Sequence, residues 1–416
     1  MSREPSVVRP AIVYALLFGA VAAYVPYISV FLRSTGVDLG TVGLLIALYS
    51  AVSLVAAPIW GAVADAMGDV RVPILAAAVL AAGAAILLAL VSGPLALAGS
   101  MALLAASTAG IIPMVDSRAV RMVGQRERIG RARAWGSAAF IVIAFASGAA
   151  VGRFGPVGMF LLYVPTLIAT GLAGYALLRL PGDEATSRTA GAALAARERR
   201  TAAALSAFSL SAIVGVIRQP LIGLFFVGSI VVWTSFATLQ TFVALHVVQL
   251  GGDATLVAAT WSGSALTEIP LMFAFPELAR RFGAERLVVI GAIAFALRAA
   301  AVALAVTPWQ VVAASPLAGI GFAFFYVGTV TWVARNLPRR MQATSQSVFT
   351  GTAVSIGAIG GSIVGGLIAG ALSLAVLFGV AAVGHGLGAI VVWRAIGRSR
   401  PVADVALVSP AEPRTS

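Results

Sequence analysis

Four charged residues stand inside or beside long apolar segments, where a charge is costly and usually functional. Asp116 and Arg133 flank an arginine-rich stretch, while Glu268 and Arg298 interrupt the apolar segments "SALTEIPLMF" and "IAFALRAAAVAL". A carboxylate accepts hydrogen bonds from hydroxyl groups, and a guanidinium donates them in a planar fork. These residues could therefore bind a polar solute or carry a proton. The structural alternatives are loop ion pairing for Asp116 and Arg133 and a structural pair for Glu268 and Arg298.

Several kinds of catalytic chemistry have no residues to support them. The chain has no Cys, two His, and 28 basic residues that are all Arg. Thiolate chemistry, disulfides, Cys-metal sites and phosphate-binding Gly-Lys motifs are therefore excluded. We expect a protein that is not an enzyme, needs no cofactor and holds no metal.

Composition points to a membrane protein. The chain has 416 residues, of which 60% are hydrophobic and 10% charged, with a mean hydropathy of +1.00. A soluble domain carries roughly 25% charged residues. The lipid bilayer is therefore the expected surroundings of most of the surface.

Runs of about 20 apolar residues mark membrane spans. Their Ala, Leu, Val and Gly content favours helices over barrel strands, so we predict an all-α membrane protein with twelve transmembrane helices. The predicted spans are 11–32, 40–63, 72–92, 95–117, 132–152, 157–178, 220–248, 254–275, 287–306, 309–333, 343–370 and 373–394.

The arginines are distributed unevenly between the two sides of the predicted membrane. Only Arg33 and Arg153 fall in loops on one side, Arg298 falls within a span, and the other arginines lie on the opposite side. Because basic residues concentrate in cytoplasmic loops, we predict a multi-pass protein of the cell membrane with both termini in the cytoplasm. This distribution explains the net charge of +13 without nucleic acid as a partner.

The uncharged segment 201–217 is an alternative thirteenth span. Counting it as a span would move six arginines between 280 and 340 to the outside, and the segment is short and contains three serines. We therefore interpret it as a helix on the cytoplasmic face.

The chain divides into two six-helix halves. We predict an N-terminal half at 1–178, a cytoplasmic linker at 179–219, a C-terminal half at 220–396 and a cytoplasmic tail at 397–416. The loops "GAVADAMGDVR" and "PELARRFGAER" occupy equivalent places in the two halves, with Gly68 and Arg71 placed 215 positions before Gly283 and Arg286. Repeated six-helix halves are typical of transporters.

The first of these loops resembles the loop motif of the major facilitator superfamily. The matching positions are Gly61, Asp65, Gly68 and Arg71, whereas Ala66 and Asp69 stand where basic residues are usual. A glycine permits the tight turn between helices, and Asp65 could pair with an arginine or cap a helix. The resemblance implies the major facilitator fold and a gating role for this loop.

Two further motifs resemble the lactose-permease-like and phenylpropionate-permease-like branch of that superfamily. They are "PMVDSRAV" and "GRARAWGSAAF". The resemblance implies that Asp116 and Arg133 bind substrate hydroxyls, and that Glu268 and Arg298 belong to the proton-coupling apparatus. A histidine and an acid usual in span ten are replaced by Ala318 and Gly321, which leaves sugar specificity and that form of coupling open.

Four aromatic side chains on the first span are candidates for lining a cavity, with packing as the alternative. They are Tyr14, Phe18, Tyr24 and Tyr27. From this set, Tyr24 and Tyr27 are our predicted substrate-binding residues.

Together these features predict a monomeric secondary transporter that works by alternating access. The leading function is proton-coupled uptake of a small polar or aromatic organic solute. Proton-driven efflux of an amphipathic compound is the alternative, and a membrane sensor that does not transport is a third class.

Overall fold

The computed structural model describes residues 7–123, 126–180, 220–336 and 353–398, and almost all of these residues are helical. We number the helices as twelve spans, some of which consist of two pieces. The predicted helix at 201–217 lies outside the described residues, as does the predicted start of span 11. The spans are Val8–Tyr24 with Ile28–Ser34 (span 1), Leu39–Met67 (2), Arg71–Leu90 (3), Pro94–Thr108 with Ile111–Val123 (4), Arg126–Phe154 (5), Pro156–Met159 with Phe160–Leu177 (6), Pro220–Gln249 (7), Ala254–Phe282 (8), Ala284–Ala303 (9), Pro308–Ala313 with Ser315–Asn336 (10), Ser355–Ala371 (11) and Leu374–Arg398 (12).

The predicted all-helical membrane architecture is confirmed. Within the described residues, ten of the twelve spans are long and apolar enough to cross a membrane by length and composition. Span 8 is not among these ten, and it carries the charged residues Glu268, Glu277, Arg280 and Arg281. Span 11 is not among them because its described part has 17 residues.

Span 4 breaks between its two pieces at Ala109 and Gly110, and the break sets the direction of the piece that carries Asp116. A Cβ atom added at Gly110 would overlap the side chain of Trp60. Trp60 in turn donates a hydrogen bond from Nε1 to the carbonyl oxygen of Ala106, at 2.7 Å. The glycine therefore allows span 2 to pack closely against the break.

Spans 2 and 8 begin in the same way, and each ends at a glycine with positive φ, although their sequences differ. Asp38 caps span 2 by accepting from the backbone N–H of Thr41, and Asp253 caps span 8 by accepting from Leu256. Gly36 and Gly251 before these caps have positive φ angles of 92° and 85°. The glycines that follow the two spans, Gly68 and Gly283, also have positive φ, at 65° and 85°. All three pairs are 215 positions apart, so the loop repeat seen in the sequence extends over a whole span.

The two halves meet most closely at one end of the molecule. We call this the distal end, and the end where span 1 begins and span 12 ends the terminal end. At the distal end, a Cβ atom added at Gly43 of span 2 would overlap the backbone of Ser362 and Gly366 in span 11. The Tyr27 hydroxyl donates to the carbonyl oxygens of Ala144 in span 5, at 2.8 Å, and of Ala254 in span 8, at 3.2 Å.

The buried apolar side chains also join the halves at the distal end. One cluster runs from the first half into the distal parts of spans 7 to 12, with Phe242, Val302 and Phe378 among its members. At the terminal end, a separate cluster around Phe225, Phe325 and Trp332 contains residues of the second half alone. Among the described residues, the space between the halves is therefore closed distally.

Candidate functional site

Asp116 and Arg133 meet beside the first span. Arg133 Nη1 lies 3.5 Å from Asp116 Oδ2, and the Tyr14 hydroxyl donates to Asp116 Oδ1 at 2.6 Å. The Arg133 guanidinium also lies over the rings of Tyr14 and Phe18, 5.7 and 5.6 Å from their centroids. Spans 1, 4 and 5 each contribute to this network, so the interaction is one between spans rather than within one loop.

This network is partly open to solvent. Arg133 is 47% exposed and Asp116 34% exposed. A guanidinium with free N–H groups and a carboxylate with free lone pairs can therefore both reach a solute. Binding of substrate by these two residues stays a prediction.

A cavity of about 300 Å³ lies between the halves, next to this network. Phe18, which lies beneath Arg133, lines it, as does Glu268 of span 8. Ser137, Gln240 and Ser264 add polar groups to a wall that is otherwise mostly apolar. The remaining lining residues are Val21, Phe140, Phe236, Trp261, Ala265, Ile269, Ala318 and Phe322.

Glu268 is the ionisable side chain among the described residues of that wall. Its carboxylate forms no hydrogen bond or ion pair within the part of the chain that the structure describes, and Arg133 of the first half acts on it electrostatically. Like the Asp116 network, Glu268 therefore faces the space between the halves. The proton-coupling role predicted for it stays a prediction.

A second cavity, of about 250 Å³, continues from the first toward the distal end. Phe236, Gln240 and Trp261 line both cavities. Ser29 and Ser362, from the first and last thirds of the chain, line the second one. The two cavities are thus neighbouring parts of one space lined by both halves.

Arg298 lies behind this wall rather than in it. Its side chain is 3% exposed, and Nη1 donates to Gln240 Oε1 at 3.0 Å. Between Arg298 and Glu268 the described residues show no ion pair within 4 Å. The structure therefore connects Arg298 to the cavity through Gln240. Gln240 was not among the predicted site residues. Its position as a polar residue inside the apolar run "FATLQTF" was the sequence signal that could have identified it.

The two predicted tyrosines line neither of the cavities between the halves. Tyr24 stacks on Tyr163 at 4.7 Å and lines a smaller cavity of about 180 Å³ within the first half. Tyr27 takes part in the distal contact with Ala144 and Ala254. In this conformation Tyr14 and Phe18, rather than Tyr24 and Tyr27, are the span 1 aromatics beside Arg133.

Span 10 fits closely against spans 8 and 9 around Ala318 and Gly321, where the resemblance implies a histidine and an acid. Ala318 lines the larger cavity, and a Cβ atom at Gly319 would overlap Thr267 and the backbone of span 8 at Glu268. A Cβ atom at Gly321 would overlap the ring of Phe295. Close packing therefore leaves no room for a larger side chain at Gly319 or Gly321, whereas Ala318 lies against the cavity.

The loop motif between spans 2 and 3 uses a different acid from the one the resemblance indicates. Asp69 accepts from Arg71 Nε at 2.8 Å, and Arg118 Nη2 lies 3.9 Å from its other oxygen. Arg118 is 2% exposed and also donates from Nε to the carbonyl oxygen of Leu178, at 2.8 Å. Asp65 and Gly61 are exposed. The gating role of the motif stays a prediction.

Comparison with known proteins identifies transporters. The model of the MFS_1 like family matches residues 7–380. The maltose permease of Geobacillus stearothermophilus is 26% identical over 358 residues, which cover 85% of this chain and 86% of that protein.

Solved structures show the same fold. The crystal structure of the nucleoside transporter NupG matches with a TM-score of 0.77 at 15% identity, covering 95% of this chain and 99% of that one. A POT family transporter in complex with 5-aminolevulinic acid matches with a TM-score of 0.68 at 14% identity, covering 95% and 96%. The predicted twelve-span fold with two six-helix halves is thereby confirmed.

Proposed function

The chain belongs to the MFS_1 like family of membrane transporters, and on that premise we propose that it takes up a small polar or aromatic organic solute together with protons. The solute binds in the space between the halves and crosses the cell membrane by alternating access. The terminal end faces the cytoplasm in this proposal, as the arginine distribution indicates.

One observation carries the proposal: the cavity of about 300 Å³ is lined by both halves and adjoins chemically different groups on each side. Phe18, which lies beneath Arg133 of the Asp116 network, lines it from the first half, and Glu268 lines it from the second. A solute held between them contacts both halves at once. Its binding can therefore favour one arrangement of the halves over another, which is what alternating access requires.

The wall chemistry supports an aromatic solute. Aromatic side chains from both halves, including Phe140, Phe236 and Trp261, line the cavity, while its polar groups are few. Aromatic rings prefer offset or edge-on contacts with other rings. Asp116 and Arg133 would bind hydroxyl or anionic groups of the same solute.

The solute is to be found by a thermal-stability screen of the purified chain against sugars, nucleosides, aromatic acids and hydrophobic cations. Binding of the best compound is then measured in variants. Asp116→Asn and Arg133→Lys should each weaken it at least ten-fold, because each removes a charge or a planar fork. Arg121→Lys, at an exposed arginine on the same piece of span 4 as Asp116, is the matched control. Equal binding in all three variants would show that the network is structural.

Proton coupling is proposed to depend on Glu268. Glu268→Gln should abolish accumulation of solute against a gradient in proteoliposomes and retain exchange, because a carboxamide cannot take up and release the proton. Arg298→Ala should reduce transport more than Glu268→Gln does. Glu277→Gln, at an exposed acid of the same span, is the control. Protonophore-sensitive accumulation by Glu268→Gln would place the coupling group elsewhere.

Proton-driven efflux of an amphipathic compound is the second candidate. The apolar side chains of Phe322 and Ala318 in the span 10 wall favour it. The two candidates predict opposite directions of net transport under one imposed pH gradient. Net transport measured in right-side-out and inverted vesicles loaded with the screened compound distinguishes the two candidate functions.

A further inference from the structure

The guanidinium of Arg298 is poorly satisfied for a group so deeply buried. It has five N–H donors, yet the bond from Nη1 to Gln240 is its single hydrogen bond in the described chain. Nε is buried and has no hydrogen-bond partner there. Buried donors of this kind are normally satisfied by protein, water or ligand.

Among the described residues, no neighbouring acid balances the positive charge of Arg298. In the described second half, Asp253 caps span 8, Glu277 pairs with Arg280, Glu285 lies in the first turn of span 9, and Glu268 is not in ion-pair contact with Arg298. An uncompensated charge inside a protein is strongly unfavourable. An anionic group from outside the chain would compensate it.

Gln240 separates this charge from the cavity. Because arginine only donates, the side chain of Gln240 must turn its oxygen toward Arg298 and its amide N–H groups away. Gln240 lines both cavities between the halves, together with Phe236 and Trp261. Arg298 thus lies one side chain away from the cavity, and Gln240 supplies the neutral oxygen that an anion would replace.

A buried histidine offers the competing explanation. His385 is 1% exposed, and because a carbonyl only accepts, its Nδ1 donates to Ala381. Its Nε2 has no partner among the described residues, and Arg298 acts on this ring electrostatically. A single water could bond both Arg298 Nε and His385 Nε2, but it would leave the charge uncompensated.

We propose that Arg298 binds a monovalent anionic group that enters from the cavity beside Gln240. This group is either the carboxylate of the transported solute or a free halide ion. The apolar walls at Phe236 and Trp261 suit the body of a solute whose carboxylate reaches Arg298. If the anionic group is the carboxylate of the transported solute, this inference rests on the proposed transport function.

The test uses the purified full chain in nanodiscs of neutral phosphatidylcholine. Benzoate and its neutral analogue benzamide are titrated while tryptophan fluorescence is recorded, since Trp233 and Trp261 line the cavities. Ionic strength is held constant with a bulky sulfonate. We expect benzoate to bind at least ten-fold more tightly than benzamide. Arg298→Gln should remove this preference, whereas Arg153→Gln, which removes an exposed distal arginine, should keep it.

Chloride distinguishes the two sources of the anionic group. Competition between chloride and benzoate would show that free halide binds at Arg298. Benzoate binding that is insensitive to chloride would assign the site to the carboxylate of a solute.

A second variant keeps the test decisive if Arg298→Gln does not fold. Gln240→Glu places a carboxylate where Arg298 now meets a neutral oxygen, so it should raise the melting temperature and weaken benzoate binding at least ten-fold. Gln249→Glu, at the exposed end of the same span, is the control and should do neither. A benzoate preference that survives Gln240→Glu would overturn the proposal.

Failure of this inference and failure of the transport function give different results. Equal binding of benzoate and benzamide in the wild type would overturn the anion site and indicate a buried water at Arg298. If the wild type binds benzoate and benzamide equally but transports a neutral solute, the proposed transport function still holds. A benzoate preference at Arg298 without transport of any screened compound would instead overturn the function.

Discussion

The backbone contact between spans 2 and 11 is expected to hold the distal end closed, and Gly43→Ala is the smallest change that tests it. A Cβ atom at position 43 would overlap the carbonyl oxygen of Ser362 and the Cα of Gly366. Both neighbours are backbone atoms, so a change of side-chain rotamer cannot relieve the overlap. The two spans must separate at this end to accept the methyl group.

The size of the effect follows from the cost of inserting one carbon into a close contact. Overpacking of this kind costs about 1–3 kcal/mol. The cost applies to the distally closed arrangement, because separated spans have space for the methyl group. The population of distally open molecules should therefore rise roughly 5- to 150-fold.

The assay is the rate at which an introduced cysteine reacts. Ser29→Cys places a thiol on a buried residue that lines the distal cavity, in a chain without other cysteines. A membrane-impermeant maleimide applied to the distal side reacts in proportion to the open population. We expect Gly43→Ala to increase this rate by the factor given above.

Gly360→Ala is the matched control, since a Cβ atom there would meet nothing within 4 Å. It makes the same chemical change in a helix but does not disturb the contact between the halves. Equal labelling rates in Gly43→Ala and Gly360→Ala would refute the reasoning, and closure would then depend on other contacts such as that of Tyr27.

Two further predictions concern topology and stability. Cysteines introduced at positions 126 and 410 should stay unlabelled by an impermeant reagent in intact cells, and labelling at either position would contradict the cytoplasmic assignment of the terminal end. Arg118→Met should lower the free energy of unfolding by about 1–3 kcal/mol, because it leaves the carbonyl of Leu178 without its donor. Arg121→Met, at an exposed neighbour, is the control in a thermal-stability assay, and equal melting temperatures would show that the Arg118 contacts contribute little.

The twelve spans could be predicted from sequence because the bilayer sets a minimum apolar length for each of them. The predicted and observed spans agree closely along the described chain, from 11–32 against Val8–Ser34 to 373–394 against Leu374–Arg398. For Asp116 and Arg133 the resemblance implies binding of substrate hydroxyls, and ion pairing is the structural alternative. The sequence does not choose between them, because no periodicity in it brings spans 4 and 5 together.

Side-chain partners could not be predicted in the same way. These spans are apolar around most of their circumference, so the pattern of residues does not show which face turns inward. The bonds from Tyr14 to Asp116 and from Arg298 to Gln240 depend on how each helix is rotated. The contacts of Asp69 were missed for another reason, since the family motif drew attention to Asp65 instead.

The matched ends of spans 2 and 8 have a consequence for how a solute is oriented. Between the paired caps and paired glycines the two spans align residue by residue, and Glu268 of span 8 falls on Ser53 of span 2. Span 8 thus begins and ends at positions equivalent to those of span 2, while the side chains between these ends differ. Ser53 is not among the described residues that line the cavity of about 300 Å³, whereas Glu268 is. A solute bound there as proposed would therefore meet a carboxylate on the side of the second half, and its two orientations would differ in binding free energy. This difference between the halves would give the proposed site two chemically distinct ends, so that a solute would bind in one preferred orientation.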